Sequence, residues 1–389
     1  MAKLKVWKFF SVWMVLVLVV GLGVGLAPAK PVVAIGGPST IEVSQPVQLT
    51  GEAHYERGQS IVYDGVNYWL FYGRSASCTQ PYATGNPDIN DYVVYYKKAA
   101  TVAGLTAATP TLVSGVPHNS NGYLGETGAS YFGGEVWAFA TIDVGGANAD
   151  IYGWWTADGG TTWNEVEPII TGLSDGQAHH DEIAFNGELW VVEGSGNFTT
   201  MHSATPKTGG WSTPLSVGAL TGGLVHFFVD GTDLYLVINS DSMNYIYKYN
   251  PTAVAWDLVD SNAPPNKYDP TLFKVDSTYV FAQAPWDGTK QYILAWSGAT
   301  LDANFFDTGY NMVTEGAYGS NPWVDMWPIG FTDQNGDSYL FFTSERNPSN
   351  PSSEIVGNIW YLKYDWDVTR DHYTYIQEAV NAVSVGRYH

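Results

Sequence analysis

One pattern recurs along the chain: an apolar strand, a tight turn and a second apolar strand. It reads IVYDGVNYWLFY at residues 61–72, SYFGGEVWAFA at residues 130–140 and IAFNGELWVV at residues 183–192. It returns at residues 227–237, 273–282 and 329–342. Asp-Gly, Gly-Gly and Asn-Gly between alternating apolar residues favour tight hairpin turns. The pattern therefore predicts six β-hairpins.

The hairpins repeat at intervals that fit a modular architecture. Their turns are centred on Gly65, Gly134, Gly187, Gly231, Ser277 and Gly336, which are 69, 53, 44, 46 and 59 positions apart. A third strand candidate follows each hairpin, at residues 92–97, 151–156, 201–204, 245–249, 292–296 and 359–364. A weaker fourth candidate often follows, as at residues 161–166 and 254–259.

Six units of about four strands at this period are typical of a β-propeller. We predict an all-β fold, a six-bladed β-propeller of four-stranded blades that spans residues 35–366. A five-bladed propeller is the alternative, because the fifth and sixth turns are irregular. A two-sheet sandwich is a further alternative.

The composition narrows the range of partners. The 389 residues carry a formal net charge of -21. Residues 1–34 hold four lysines and no acids, so the rest of the chain has 13 basic and 38 acidic side chains. Nucleic acid is excluded as a partner by such a surface. Aromatic residues make up 15% of the chain and charged residues 14%. This composition fits a turn-rich β protein with most rings in its strand core, and it also fits a surface that stacks on sugars.

The N-terminus resembles an export signal. Residues 1–8 carry three lysines, residues 9–26 are apolar, and small residues follow at Ala27, Ala29 and Ala34. We expect residues 1–34 to direct the protein to the outside of the cell or to its surface. An uncleaved membrane anchor is the alternative, because 18 apolar residues nearly span a bilayer. Cys78 is the one cysteine, so no internal disulfide is expected.

One turn carries a family resemblance. Residues 156–163, TADGGTTW, lie between the third and fourth strands of the second unit. They resemble the Asp-box of the sialidase (BNR-repeat) superfamily, Ser/Thr-x-Asp-x-Gly-x-Thr-Trp. We expect Asp158 to accept backbone N–H bonds, Gly160 to take a positive φ and Trp163 to pack between strands. In that superfamily the box is structural and lies away from the active site, so Asp158 is not a catalytic candidate.

Propeller topology predicts where a pocket would form. The start of each innermost strand and the end of each second strand converge on the central axis. Ionisable residues recur at or near the starts, and we predict a polar pocket there. The catalytic candidates are the carboxylates Asp181, Asp269, Glu126, Glu182 and Asp325. The candidates for substrate binding are Arg57, Arg74, His179, His180, His226, Trp286, Glu345 and Arg346.

Two units resemble glycan-processing enzymes. Arg57 and the Tyr72-Gly73-Arg74 run are similar to the opening of sialidases, in which an arginine binds the substrate carboxylate. Tyr268-Asp269-Pro270 resembles the Asp-Pro strand opening of furanosidase-type glycoside hydrolase propellers, which use carboxylates from separate blades. Glycoside hydrolysis requires two carboxyl groups at a fixed separation. The sequence supplies the groups and leaves their separation open.

Metal binding is not predicted at the pocket. The run from His179 to Glu182 opens a strand, where alternate residues face apart, and its spacing is not that of a helical histidine site. Asp333–Asp337, DQNGD, resembles half of a Ca²⁺ loop, although a hairpin turn is the expected structure. We therefore expect no cofactor, with structural Ca²⁺ as an alternative.

The tail has a resemblance of its own. Residues 373–386 are similar to the helix and turn that open right-handed parallel β-helix (pectin-lyase-like) domains. Residues 367–389 are therefore interpreted as a linker and the truncated start of such a domain. A simple C-terminal helix is the alternative.

Two functions fit the sequence. The first is an exported, monomeric propeller that binds or hydrolyses a glycan or polysaccharide in a central pocket, in the manner of a sialidase or glycoside hydrolase. The second is a non-catalytic carbohydrate- or protein-recognition module of a cell-surface protein. Carboxylates at the strand starts favour the first. The lack of arginine between Arg74 and Arg346 favours the second.

Overall fold

The chain folds into six antiparallel sheets arranged as a β-propeller. The computed structural model describes residues 42–44, 46–75, 78–79, 92–117, 127–145, 148–173, 179–194, 196–240, 243–262, 269–285, 292–314, 317–318, 321–322, 325–347 and 354–365. Nearly all of these residues are in strands or turns, and each sheet has four strand positions. The prediction of a six-bladed, all-β propeller is confirmed.

The blades follow one another along the chain, and each starts with its innermost strand. Blade 1 contains Glu56–Tyr63, Tyr68–Ser75, Tyr92–Ala99 and Thr111–Leu112. Blade 2 contains Thr127–Phe132, Glu135–Gly145, Asn148–Thr156 and Asn164–Leu173. Blade 3 contains His180–Phe185, Glu188–Glu193, Asn197–Ser203 and Leu215–Thr221.

The second half of the ring repeats this order. Blade 4 contains Gly223–Asp230, Asp233–Ser240, Met243–Asn250 and Ala255–Asn262. Blade 5 contains Thr271–Val275, Thr278–Gln283, Leu294–Gly298 and Tyr310–Met312. Blade 6 takes Asp325–Thr332, Ser338–Arg346 and Glu354–Asp365 from this end of the chain. Short 3₁₀ turns lie at Ala103–Thr106, Pro206–Thr208 and Phe305–Thr308, and a small hairpin pairs Ala317–Tyr318 with Asn321–Pro322.

Blade 6 is completed by the N-terminal end of the described chain. Glu42–Val43 and Val47–Gln48 both pair antiparallel with Glu354–Asp365 and so form its outermost strand. Val43 lies opposite Tyr364, and Val47 lies opposite Tyr361. The ring is therefore closed by backbone hydrogen bonds between its first and last segments. The sequence analysis did not predict this pairing.

The core is divided among the six seams between neighbouring blades. Six clusters of buried apolar residues are present in the described chain, one at each seam. At the seam of blades 1 and 2, for example, Trp163 of blade 2 packs edge-on against Trp69 and Phe71 of blade 1, with ring centroids 6.4 and 5.9 Å apart. Each sheet buries both faces against its neighbours, which explains the long apolar runs in its strands.

Antiparallel order gives the propeller two distinct faces. We call the upper face the one where innermost strands begin and second strands end. The lower face carries the turns between first and second strands and between third and fourth strands. The Thr156–Trp163 turn therefore lies on the lower face. The upper cleft described below lies at the opposite end of the axis.

The Thr156–Trp163 turn has the geometry expected of it. The backbone N–H of Thr162 donates to Asp158 Oδ1 at 2.9 Å, and Gly160 N donates to Thr156 Oγ1 at 3.0 Å. Hydrogen bonds from Thr162 and from the Thr156 hydroxyl to its carboxylate lower the pKa of Asp158 to about 2. Gly160 has φ +91°. The turn also joins two blades, because Lys98 Nζ donates to the carbonyl of Gly159 at 2.7 Å.

The predicted N-terminal signal or anchor and the predicted β-helix start lie outside the described residues. Within the described part of the chain, no helix has the length and apolar character that a membrane crossing requires.

Two adjacent glycines provide a matched test of this seam. Both have positive φ, so alanine is strained at either position. A Cβ on Gly160 would lie 2.4 Å from Tyr96 Oη, and that ring is held by Trp69 and Trp163. A Cβ on Gly159 would meet only the flexible end of Lys98, at 3.4 Å.

We expect Gly160→Ala to lower the free energy of unfolding by about 1–3 kcal/mol more than Gly159→Ala, because overpacking is added to the backbone strain. Urea denaturation of both variants and the wild type measures the difference. Equal losses would contradict the packing described for this turn.

Candidate functional site

A small cleft lies at the centre of the upper face. It is lined by the beginnings of all six innermost strands and has a volume of about 30 Å³. Its polar lining includes Thr127, His180, Asp181, His226 and Asp269. A cavity of this volume holds a water-sized group. The cleft is therefore suited to one hydroxyl or one bridging oxygen of a larger ligand.

Asp181 and His226 form a pair across the seam of blades 3 and 4. Asp181 Oδ2 lies 2.9 Å from His226 Nδ1 and also accepts the backbone N–H of Phe227 at 2.6 Å. Both side chains are 13% exposed. A carboxylate on Nδ1 fixes the orientation of an imidazole and directs its other nitrogen elsewhere. The pair is thus a pre-oriented acid–base group that lines the cleft.

The neighbouring residues of the same strand face the other way. His180 and Glu182 are both buried, and His180 Nδ1 lies 2.8 Å from Glu182 Oε1. The carboxylate of Glu182 rests on Gly128 of blade 2, where a Cβ would come within 1.5 Å of Oε2. Because strand residues alternate in direction, Asp181 contacts blade 4 and Glu182 contacts blade 2. His180 lines the upper cleft, and Glu182 does not.

Asp269 and Trp327 form the corresponding contact between blades 5 and 6. The backbone N–H of Trp327 donates to Asp269 Oδ2 at 3.2 Å. Asp269 has φ +50° and Trp327 has φ +53°, a left-handed conformation that costs a non-glycine residue energy. Both precede a proline, Pro270 and Pro328, at the start of an innermost strand. Two strained residues in contact at one cleft are typical of a functional site.

Trp327 lies at the cleft although the sequence analysis did not select it. Its indole is partly buried and lines the cleft. The guanidinium of Arg57 lies 5.1 Å from its ring and 4.9 Å from the ring of Tyr92. Gln59 of blade 1 donates to the carbonyl of Trp327. Trp327 precedes Pro328 at the start of an innermost strand, as Asp269 precedes Pro270. This shared pattern is the sequence signal that could have identified Trp327.

The other two arginines of the described chain are held in ion pairs within their own blades. Arg74 Nη2 lies 2.8 Å from Glu56 Oε1, and Arg346 Nη2 lies 2.6 Å from Asp325 Oδ2. Each pair joins the start of an innermost strand to the end of the second strand beside it. Asp325, Arg346, Arg74 and Glu345 do not line the upper cleft.

Glu56 is a buried acid that the sequence analysis passed over. Its side chain is fully buried. Burial raises its pKa from 4.5 to about 7, against the opposing effects of the Thr50 hydroxyl and the Arg74 guanidinium. Its position directly before Arg57, at the start of an innermost strand, was the available signal.

Two predicted site residues, Glu126 and Trp286, lie outside the described residues. His179 is among the described residues, and its backbone carbonyl accepts the N–H of Gly194 at 2.8 Å. It does not line the cleft. The structure thus brings Asp181, Asp269, His180 and His226 together at the cleft. Their roles in catalysis or binding stay predictions.

The described residues contain no group of three His, Cys, Asp or Glu side chains that could hold a metal ion. The Asp333–Asp337 segment forms a hairpin turn. Asp333 Oδ1 accepts the N–H groups of Asn335 at 2.8 Å and Asp337 at 3.0 Å. Its Oδ2 accepts the hydroxyl of Tyr68 at 2.9 Å. Asp333 therefore stabilises the turn and joins it to blade 1.

Comparison with known proteins identifies the fold alone. No family model and no curated protein matches the chain. A protein of unknown function from Dyadobacter fermentans has a similar structure, with 12% identity, a TM-score of 0.56, and coverage of 82% of this chain and 98% of that one.

A sialidase from Trypanosoma rangeli is also similar in structure, with 10% identity and a TM-score of 0.54 over 87% of this chain. The match spans 60% of the sialidase. A family 117 glycoside hydrolase from Zobellia galactanivorans aligns with 10% identity and a TM-score of 0.47, over 82% of this chain and 90% of that one.

The buried carboxyl of Glu56 predicts a pH dependence of stability. Its pKa is higher in the folded state, so its contribution to stability is full below pH 4.5 and is lost as the pH rises through about 7. Relative to the wild type, Glu56→Gln should gain about 3 kcal/mol in free energy of unfolding across this window.

Glu52→Gln is the matched control, because Glu52 also lies near Arg74, at 3.4 Å, but is partly exposed. Denaturant unfolding at a series of pH values measures all three proteins. A wild-type pH slope in Glu56→Gln would show that this carboxyl does not titrate as described.

Proposed function

We propose that the upper face binds a neutral glycan and hydrolyses a glycosidic bond with Asp181 and Asp269. The observation that carries the proposal is that these two carboxylates, from blades 3 and 5, line one cleft. Hydrolysis of a glycosidic bond requires two carboxyl groups, one to protonate the leaving oxygen and one to act at the anomeric carbon.

The hydrogen bonds of Asp181 and Asp269 support different catalytic roles for the two residues. Asp181 is oriented by two partners, the imidazole of His226 and the N–H of Phe227. This arrangement suits a carboxylate that activates water or attacks the anomeric carbon. Asp269 is held by the N–H of Trp327 and is mostly buried. We assign it the transfer of a proton to the leaving oxygen.

The charges around the cleft favour a neutral sugar over an acidic one. The three arginines that the sequence analysis predicts to bind substrate have other partners here. Arg74 is paired with Glu56, Arg346 is paired with Asp325, and Arg57 lies between two aromatic rings. Among the described residues, the ionisable side chains that line the cleft are carboxylates and histidines, with no lysine or arginine. An acidic sugar would meet like charge in this cleft.

Trp327 supplies the binding surface in this proposal. Aromatic side chains combine apolar area with a polar edge, which suits the face of a sugar ring. The Arg57 guanidinium and the Gln59 amide hold this tryptophan from blade 1. The cleft admits one oxygen, and the ring of the sugar rests on the indole outside it.

We further propose that the protein is exported and acts as a monomer at or outside the cell surface, with residues 1–34 as its signal or anchor. The apolar run of residues 9–26 after three lysines supports export. The propeller fold shared with the Trypanosoma rangeli sialidase supports a carbohydrate ligand.

A second function, glycan recognition without catalysis, has its own support. Asp181 and Asp269 both accept a backbone N–H from the next blade, so both also serve as structural ties. In that case the same cleft binds a sugar hydroxyl without bond cleavage.

Substitution of the two carboxylates separates these functions. We expect Asp181→Asn and Asp269→Asn to lower reducing-sugar release from neutral polysaccharides at least about a hundredfold, because acid–base catalysis contributes about 10²–10⁴-fold. Asp257→Asn is the control, since Asp257 is exposed on the outermost strand of blade 4 and bonds only Asn250 among the described contacts.

The panel includes arabinans, xylans, galactans and a sialylated glycan, with circular dichroism as a check of folding. Wild-type release from the sialylated glycan alone would contradict the proposed substrate class. Binding of a polysaccharide without release from any of them would establish recognition instead of hydrolysis.

The role of Trp327 predicts a separate change in affinity. Trp327→Ala should raise KM or Kd for the bound glycan about tenfold, since the apolar area that the indole covers on a sugar ring contributes on the order of 1 kcal/mol. Trp327→Phe should recover most of the affinity because it restores an aromatic face. Isothermal titration of an oligosaccharide from the panel measures both variants, and equal affinities in all three proteins would remove Trp327 from the site.

A further inference from the structure

A second cavity opens toward the lower face, away from the proposed site. It has a volume of about 450 Å³ and is lined by the innermost strands of all six blades. We call it the lower channel. Ligand-binding pockets in proteins have volumes of about 300–1,000 Å³. The lower channel is therefore large enough for a small molecule, whereas the upper cleft is not.

Aromatic side chains surround the lower part of this channel. Tyr63, Tyr131, Phe228 and Phe331 line it and come from blades 1, 2, 4 and 6. None of the four is fully buried, and Tyr131 is 38% exposed. Each lies near the end of an innermost strand, where that strand reaches the lower face. Tyr63, Phe331 and Phe228 also pack on the core clusters behind them, so each presents part of its ring to the channel, and Tyr131 is the exposed member of this aromatic rim.

The upper end of the channel is acidic. Asp181 and His226 line it, as does Glu182, whose side chain is fully buried and paired with His180. Among the described lining residues there is no lysine or arginine. Lys274 follows the lining residue Phe273 in the sequence. It does not line the channel and is paired with Asp230 at 2.6 Å. Asp181 and His226 also line the upper cleft, so the two cavities adjoin at this pair.

We propose that the lower channel binds a small organic ammonium cation, such as a quaternary or primary amine of the size of choline. Aromatic rings attract such a cation through their negative faces. The Asp181 carboxylate at the inner end attracts it over a longer distance, because a partly buried charge is weakly screened. An anion would be repelled by the same residues, and a neutral molecule would gain only the apolar contact.

This site goes beyond the proposed glycan function and does not require it. The ligand binds from the opposite face, and the evidence for it is binding, not turnover. A failure to release sugar would leave this site untouched, and a failure to bind cations would leave the upper face untouched.

Choline and its uncharged isostere 3,3-dimethylbutan-1-ol are the probes, measured by isothermal titration calorimetry on the full chain. The two molecules have the same shape and differ by one charge. We expect choline to bind with one site per chain and at least tenfold more tightly than the isostere. Equal affinity would show an apolar cavity without charge selectivity, and absence of binding would show a solvent-filled channel. Either result overturns the proposal.

Substitution at the rim locates the site. Tyr131→Leu should weaken choline binding about fivefold, as expected for one cation–π contact of about 1 kcal/mol, whereas Tyr131→Phe should retain it. Tyr310→Leu is the matched control, because Tyr310 is 48% exposed on the outermost strand of blade 5, away from the channel. Equal effects of Tyr131→Leu and Tyr310→Leu would place the cation elsewhere and contradict the assignment.

Discussion

The structure depends on the pairing of its N-terminal segment with the last strand of blade 6. Each sheet buries its faces only against its two neighbours, so the ring must close for the first and last blades to be covered. Glu42–Val43 and Val47–Gln48 close it by hydrogen bonding to Glu354–Asp365. The same closure brings blade 6 against blade 1 at the axis, where Gln59 bonds the carbonyl of Trp327 and accepts the hydroxyl of Thr343. The shape of the upper cleft therefore follows from the closure of the ring.

At the axis, the polar residues that line the cleft also hold the blades together. A residue on an innermost strand faces either the preceding or the following blade, and a buried polar group there must find a hydrogen-bond partner. Asp181 finds the N–H of Phe227 in blade 4, and Asp269 finds the N–H of Trp327 in blade 6. Thr127 donates to the carbonyl of Gly58 in the same way. The same side chains thus line the candidate site and hold neighbouring blades together, which gives the cleft a rigid lining.

The sequence was sufficient to predict the blades because each hairpin contains its own turn signal and its own period-two alternation. It was not sufficient for the closing strand, because two-residue pairings such as Val43 with Tyr364 leave no periodic pattern. Near the axis, the topology pointed to the strand starts, and the starts of the innermost strands line the cleft. The partners of Arg74 and Arg346 could not be predicted, because they depend on which residue of the first strand lies opposite the end of the second. The sequence did not identify Trp327 as a site residue, because its position at the cleft and its strained backbone conformation depend on contacts with blades 1 and 5.

The central claim is that a glycan oxygen enters the cleft between Asp181 and Asp269. A crystal structure of the Asp269→Asn variant with a neutral oligosaccharide tests it most directly. The account predicts a glycosidic oxygen within hydrogen-bond distance of residue 269, a sugar ring stacked on Trp327, and an anomeric carbon facing the carboxylate of Asp181. An oligosaccharide bound on the outer strands of a blade or at the lower face, with the upper cleft filled by water, would contradict it.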